Sequence, residues 1–239
     1  MMLDPDAILA IPLWINGHAY LTMAPAFFDV RDPRDGQVKR RTPMCGAAEA
    51  RTAVDAAQAA LAGWAARTVA GRAVLLAALG DALAAYEAHF AGLIAEETGK
   101  DAALAAAEVD AARRLLHAAG ADSQQQQQTT GGAAVVAIVS DDRAPLLGVV
   151  RHAVPALLAG ATVVVKPSPK APSATFALAE LTARGDFPGG VFNVLHGDIA
   201  AIEGLCATDQ LSLLLFAGDP ALGARVAAIA TRHGKPFVD

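Results

Sequence analysis

The sequence predicts an α/β chain: a parallel sheet with helices on both faces, preceded by an N-terminal β-arm and a helical segment. Three observations carry that expectation. From Ala133 onward, short β-branched runs alternate with helical stretches, the order expected of β-α-β units. The strand runs are continuously apolar, as in Thr162-Val163-Val164-Val165, which suits strands buried on both faces. Before residue 121, by contrast, apolar residues recur at helical spacing.

The elements follow in order. Asn16-Gly17 sits between apolar residues in Trp14-Ile15-Asn16-Gly17-His18-Ala19-Tyr20, as in a tight hairpin, and Phe27-Phe28-Asp29-Val30 precedes a turn at Asp32-Pro33-Arg34-Asp35-Gly36. These read as a small arm. From Ala47 to Ala121, one stripe of Val54, Ala57, Leu61 and Trp64 and another of Leu75, Leu76, Leu79, Leu83 and Tyr86 predict three helices, broken near Gly63–Thr68 and at Gly99-Lys100. Residues 122–132, with five consecutive glutamines, read as a solvated loop, because glutamine side chains bury too little to offset their ordering entropy. Residues 133–239 then predict strands at Val135–Val139, Thr162–Val165, Val191–Leu195 and Leu211–Phe216. Between and after them come helices at Pro145–Ala159, Ser173–Arg184, Ile199–Cys206 and Pro220–His233. Residues 1–121 are expected to pack on 133–239 as one compact unit.

Composition narrows the function classes. A net charge of -5 without a basic stripe removes the electrostatic footprint of nucleic-acid or anionic-membrane binding. No apolar run approaches the ~20 residues that cross a bilayer. The N-terminus has no basic-then-apolar signal pattern, and Cys45 and Cys206 lack disulfide or zinc spacing, so a cytoplasmic protein without a metal is expected. None of His18, His89, His117, His152, His196 and His233 forms a pair with metal-ligand spacing.

In an open parallel sheet, ligands sit beyond the carboxyl ends of the strands, near helix N-termini. Three junctions qualify: Lys166-Pro167-Ser168-Pro169, His196-Gly197-Asp198, and Phe216-Ala217-Gly218-Asp219-Pro220-Ala221-Leu222-Gly223. Each admits a plain turn role as well as a ligand role, and G-x-G-x-x-G is absent from them, so the residues alone lead only to a possible nucleotide crevice.

Taken in order, many segments match one known pattern: Trp14-Ile15-Asn16-Gly17, Asp32-Pro33, Glu97-Thr98-Gly99-Lys100, Glu108-Val109, Pro155-Ala156-Leu157-Leu158-Ala159-Gly160, Val165-Lys166-Pro167-Ser168, Phe187-Pro188-Gly189-Gly190-Val191-Phe192-Asn193-Val194, and Phe216-Ala217-Gly218 with Gly223. In order and spacing the chain resembles the aldehyde dehydrogenase superfamily, through its N-terminal and cofactor-binding part. The resemblance implies a Rossmann-like NAD(P)-binding domain, with cofactor contacts at Lys166, Pro167, Ser168, Gly197, Gly218, Asp219 and Gly223. In that superfamily a cysteine thiolate attacks the aldehyde, nicotinamide accepts hydride and a glutamate activates water. The Glu-Leu-Gly-Gly segment bearing that glutamate would begin just past Asp239, and neither Cys45 nor Cys206 stands in the nucleophile's place.

Three positions depart from the pattern. Arg143 stands where the superfamily has its oxyanion-stabilising asparagine, Pro169 where it has a ribose-binding glutamate, and Asp219 where it usually has serine facing the pyrophosphate. A carboxylate at that last place caps its own helix but repels a pyrophosphate, by roughly 1 to 4 kcal/mol at about 4 Å. NAD or NADP binding is therefore expected to be weak. The leading expectation is an aldehyde-dehydrogenase-like protein that is non-catalytic alone, in a structural or interaction role, with self-association or a protein partner covering exposed apolar surface. The alternative is an N-terminal fragment of an NAD(P)-dependent aldehyde dehydrogenase. A nucleotide-sensing regulator is a third.

Overall fold

The computed structural model describes residues 8–119 and 133–239, so the glutamine-rich loop expected at 122–132 falls outside the described residues. The chain begins with two short strands, β1 (Leu13–Ile15) and β2 (His18–Tyr20), joined by Asn16 and Gly17 at φ 56° and 80°. Both angles are left-handed, which is what a two-residue turn matching strand twist demands of an Asn-Gly pair. Strands β3 (Phe27–Arg31) and β4 (Val38–Pro43) form a second hairpin.

The expected single arm is thus two separate structures. The β3–β4 hairpin is a sheet of its own, whereas β1 pairs antiparallel with the later strand β7 (Phe192–Val194), through Trp14 and Val194. Leu13, Trp14 and Ile15 are all buried, and β1 covers backbone groups of β7 that an uncapped edge would leave open. Asn193 fixes the junction, its Oδ1 accepting the Asn16 amide at 3.0 Å.

Four helices follow where three were expected: α1 (Ala47–Ala65), α2 (Val69–Ala85), α3 (Glu87–Thr98) and α4 (Ala102–Ala118). The unforeseen break is at Tyr86, where the chain bends by 75° between α2 and α3. Tyr86 is itself half-exposed rather than part of the buried stripe, and its hydroxyl accepts a bond from Arg184 at 2.7 Å. The bend brings both Leu83 and Phe90 into the same core, which a straight helix would not do. No single described helix is long and apolar enough to cross a membrane.

The second half alternates as expected: β5 (Val135–Ser140), α5 (Leu147–Leu158), β6 (Thr162–Lys166), α6 (Ser173–Arg184), β7, α7 (Ile199–Cys206), β8 (Leu211–Ala217), α8 (Pro220–Arg232) and β9 (Phe237–Val238). Strand order is β2-β1-β7-β6-β5-β8-β9, with the last five parallel. Side chains alternate between two cores: Val136, Ile138, Val163 and Val165 join α2 to α6, while Val135, Ala137, Val139 and Val164 join α1, α7 and α8.

Two buried glutamates brace the helix starts. Glu97 accepts the Ser173 amide at 3.0 Å, together with the Ser173 hydroxyl, at the N-terminus of α6. Glu108 accepts the Leu146 and Leu147 amides at 3.0 and 3.2 Å at the start of α5, and Lys100 pairs with it at 2.5 Å. Each satisfies helix-end donors that would otherwise be orphaned.

Candidate cofactor-binding site

The chain runs from β5 outward through β6 to β7, then returns to the other side of β5 with β8 and β9. The topological switch point therefore lies between β5 and β8, beyond their carboxyl ends, where open parallel sheets place ligands. A cleft of about 490 Å³ occurs there, lined by Asp141, Arg143, Arg151, His152 and Gly218 among others. A second groove of about 370 Å³ runs between α7 and α8, lined by Ile199, Ile202, Leu222, Val226 and Ile229, with Asp198, Arg225 and Arg232 among its polar residues.

Lys166 ends β6. The sequence places its ammonium at the ligand edge, and it is found at that end but buried, donating to the carbonyls of Pro167 at 2.9 Å and Gly197 at 3.0 Å. Burial pushes its pKa down to about 8, opposed by the nearby Asp198 carboxylate. Two of the ammonium's three donors are thereby used. Ser168 Oγ accepts the Lys170 amide at 3.3 Å, leaving its own hydrogen free to donate. Pro169 offers no side-chain acceptor. Gly197 has φ 131°, and a Cβ there would lie 2.9 Å from the Cys45 carbonyl oxygen, so only glycine suits the place. Lys166 thereby holds Gly197, the residue before Asp198, which lines the α7–α8 groove.

At the switch point, the protein's own carboxylates take up the donors. Asp141 is buried and accepts the Arg143 amide at 2.9 Å and the Asp219 amide at 2.7 Å. Asp219 Oδ1 in turn accepts the amides of Ala221 and Leu222 at 2.8 and 3.3 Å, and Pro220 has no N–H to give. Asp219 Oδ2 pairs with the guanidinium of Arg143. Gly218 makes room for Asp141, whose carboxyl group an added Cβ would overlap, and Gly223 lets α8 approach the ring of Phe216. His152, across the cleft, is held below the usual histidine range by burial, against a hydrogen bond with the Phe216 backbone.

His196 lies in neither cavity. It is buried, with Nε2 bonded to the Pro12 carbonyl at 3.0 Å, and burial pushes its pKa down to about 3. Both cysteines are buried and held protonated: desolvation, with the charge of Glu49, pushes Cys45 up to about 12, and desolvation, with Glu203, pushes Cys206 up to about 11. Sequence reasoning missed the groove. Leu222, Val226 and Ile229 recur at helical spacing, but that stripe reads equally well as core; only the position of α7 beside α8 turns it into a slot.

The sequence matches the model of the aldehyde dehydrogenase family over residues 21–238. The chain belongs to the aldehyde dehydrogenase family. Among its relatives, it is 32% identical over 238 residues to succinate-semialdehyde dehydrogenase [NADP(+)] of Escherichia coli, a match covering 93% of this chain and 49% of that protein. It is 29% identical over 221 residues to malonate-semialdehyde dehydrogenase of Pseudomonas aeruginosa, covering 87% and 44%. Lactaldehyde dehydrogenase from Escherichia coli superimposes with a TM-score of 0.90 at 25% identity, over 97% of this chain and 52% of that structure. The chain thus spans about half the length of the aldehyde dehydrogenases it matches.

The donor set suits one part of a dinucleotide better than another. The apolar lining of the α7–α8 groove suits a flat base. The start of α8 does not match a pyrophosphate in the same way, because its first-turn amides are already bonded to Asp141 and Asp219.

Proposed function

We propose that this chain forms the NAD(P)-binding half of an oxidoreductase acting on aldehydes. The apolar groove between α7 and α8, entered at Asp198 next to the Gly197 that Lys166 holds, carries this reading. Ile202, Leu222 and Val226 exclude water from the base, while Lys166 and Ser168 orient the ribose. When bound, the nicotinamide of such a cofactor accepts hydride. Asp219 at the start of α8 and Pro169, which has no side-chain acceptor, lower the affinity without abolishing binding at millimolar cofactor. Neither Cys45 nor Cys206 supplies the nucleophile, as both thiols are buried and stay protonated at neutral pH. The semialdehydes named for two relatives support aldehydes that also carry a carboxylate.

Thermal unfolding with and without millimolar NAD+ or NADP+ tests the proposal. A ligand at ~100 times its dissociation constant adds about 2.7 kcal/mol, which raises the midpoint by several degrees at this size. A rise with either cofactor is expected; no rise with both would overturn it.

Exposed apolar residues favour a second, compatible role as an interaction partner. Leu9, Leu21 and Met23 are 68%, 83% and 99% exposed, all near the N-terminal hairpins. This role predicts self-association or capture of a protein partner through that surface. Analytical ultracentrifugation of the wild type and of Leu21→Ser/Met23→Ser reads it: association lost in the variant supports it, and a wild-type monomer that pulls down no partner contradicts it.

A further inference from the structure

The chain has two asparagines, and the fold treats them in opposite ways. Asn193 is fully buried in β7 and followed by the β-branched Val194. Its Nδ2 donates to the carbonyls of Gly190 at 2.7 Å and Val163 at 3.2 Å, and its Oδ1 accepts the Asn16 amide at 3.0 Å, so its carboxamide is locked. Asn16 is exposed at the tip of the β1–β2 hairpin and is followed by Gly17, which has no Cβ to shield its nitrogen from the carboxamide beside it. Among the described residues the hydrogen bonds of Asn16 run through its backbone: the amide donates to Asn193, and the carbonyl oxygen lies 3.2 Å from His18 Nδ1. A carbonyl can only accept, so Nδ1 carries the hydrogen of that bond, and it polarises the Asn16–Gly17 peptide in the direction that makes the Gly17 N–H more acidic. Asn16 also sits at φ 56°, in the left-handed region that strains a residue with a side chain.

We propose that Asn16-Gly17 is a self-modification site, at which the asparagine converts to aspartyl and isoaspartyl residues with assistance from His18. The Gly17 nitrogen gives up its proton to solvent and attacks Asn16 Cγ. A C–N bond forms, the Cγ–Nδ2 bond breaks, and the side-chain nitrogen takes up a proton and leaves as ammonia. Water then opens the five-membered imide at either of its two carbonyls, so one water is consumed, one ammonia is released and nothing is oxidised or reduced. Ring closure requires Asn16 to rotate out of its left-handed conformation, and that rotation releases the strain held in the turn. The isoaspartyl product has one extra carbon in its backbone. In a two-residue turn that sets Ile15 opposite His18, an added backbone atom spoils the match between turn and strand twist. The turn is also packed closely on the loop before β7, where a Cβ on Gly17 would lie 3.1 Å from Gly189 Cα. Conversion therefore loosens β1 from β7 and opens the sheet edge that β1 covers, which makes the hairpin a slow chemical timer on that edge.

Peptide mapping by mass spectrometry, on the full chain held folded at neutral pH and sampled over weeks, tests the site. The peptide containing Asn16 should gain the mass of amide-to-acid conversion while the peptide containing Asn193 stays unchanged, and labelling by an isoaspartyl methyltransferase should place the isomerised product at Asn16. His18→Phe removes the donor and should slow conversion severalfold. His18→Gln, which can still donate, should fall between His18→Phe and wild type. In urea, where no fold holds residue 18 against the peptide carbonyl, the three proteins should converge on one rate, which a merely structural role for His18 would not produce. Unfolding midpoints near wild type confirm that the variants fold, as expected for an exposed histidine. Aged wild type should exchange the amides of β1, β2 and β7 faster than fresh protein, whereas fresh Asn16→Asp, which has the charge without the extra backbone atom, should keep the fresh rates. A wild type that stays unconverted while folded, yet converts in urea, overturns the site, because the hairpin then protects Asn16. Equal rates in folded wild type and folded His18→Phe overturn the assistance by His18, and unaltered exchange in fully converted protein overturns the timer.

Discussion

The two ends of the crevice solve the same problem in opposite ways. At the β6–β7 end, a buried lysine joins two carbonyls and the adjoining groove stays open between apolar helix faces. At the β5–β8 end, three charged side chains from two loops occupy one another, and the helix start that would greet an anion is capped by aspartates. Parallel-sheet topology provides a crevice at both places; side-chain chemistry decides whether it is left for a ligand or filled by the protein. The open end's apolar lining suits an uncharged base, while the donors of the filled end are already taken.

The largest effect should come from removing the anchor of the filled end. Asp141→Ala strips the acceptor from two amides, each bond to a carboxylate being worth roughly 1.5–3 kcal/mol, so a loss of about 4 kcal/mol is expected in chemical denaturation. Asp141→Asn, which keeps one acceptor oxygen, should cost about half as much. A loss below about 1 kcal/mol in Asp141→Ala would mean that the two loops hold themselves.

The open end should show its cost in pH dependence. Lys166 has a folded pKa of about 8 against an ordinary 10.5. Between those values the unfolded chain binds more protons than the folded one, so stability rises with pH across the window, by on the order of 3 kcal/mol. The contribution is present above 10.5 and lost as pH falls through 8. Lys166→Met should flatten that rise. Glu97, away from the crevice, provides a control of opposite sign: burial raises it to about 7, so its contribution is full below 4.5 and lost as pH rises through 7. Glu97→Gln should remove that fall and leave the Lys166 window untouched. If both variants changed the same window, the assignments would be wrong.

The smallest effect belongs to the groove's rim. Ile199 is 43% exposed, so Ile199→Asp should hardly alter stability. Loss of apolar contact with a base should weaken adenosine binding by roughly 1 kcal/mol, about fivefold. An unaltered adenosine affinity would separate the groove from the cofactor.

Much of this architecture was legible in the sequence because it is written locally. Continuous valine runs fix buried strands, Asn16-Gly17 fixes a hairpin turn, and the strand-end position of Lys166 follows from counting along β6. The break at Tyr86 was not legible, because no glycine or proline marks it and the bend is set by what Leu83 and Phe90 pack against. Nor was the attachment of β1 to β7, since an edge pairing between strands so far apart in the chain leaves no local pattern. The same holds for the site. Arg143 and Asp219 could each be flagged as unusual, but that they meet is a property of β5 lying next to β8. The groove needs α7 beside α8, and its lining residues look like ordinary core until those helices are placed.

The division of labour between the two ends is tested most directly by amide hydrogen exchange with and without millimolar NADP+. Slowed exchange concentrated in α7, the first turns of α8 and the Lys166–Ser168 segment, with α2–α4 unchanged, is the predicted result. Exchange unaltered in α7 and α8, or slowed equally throughout the chain, would contradict it.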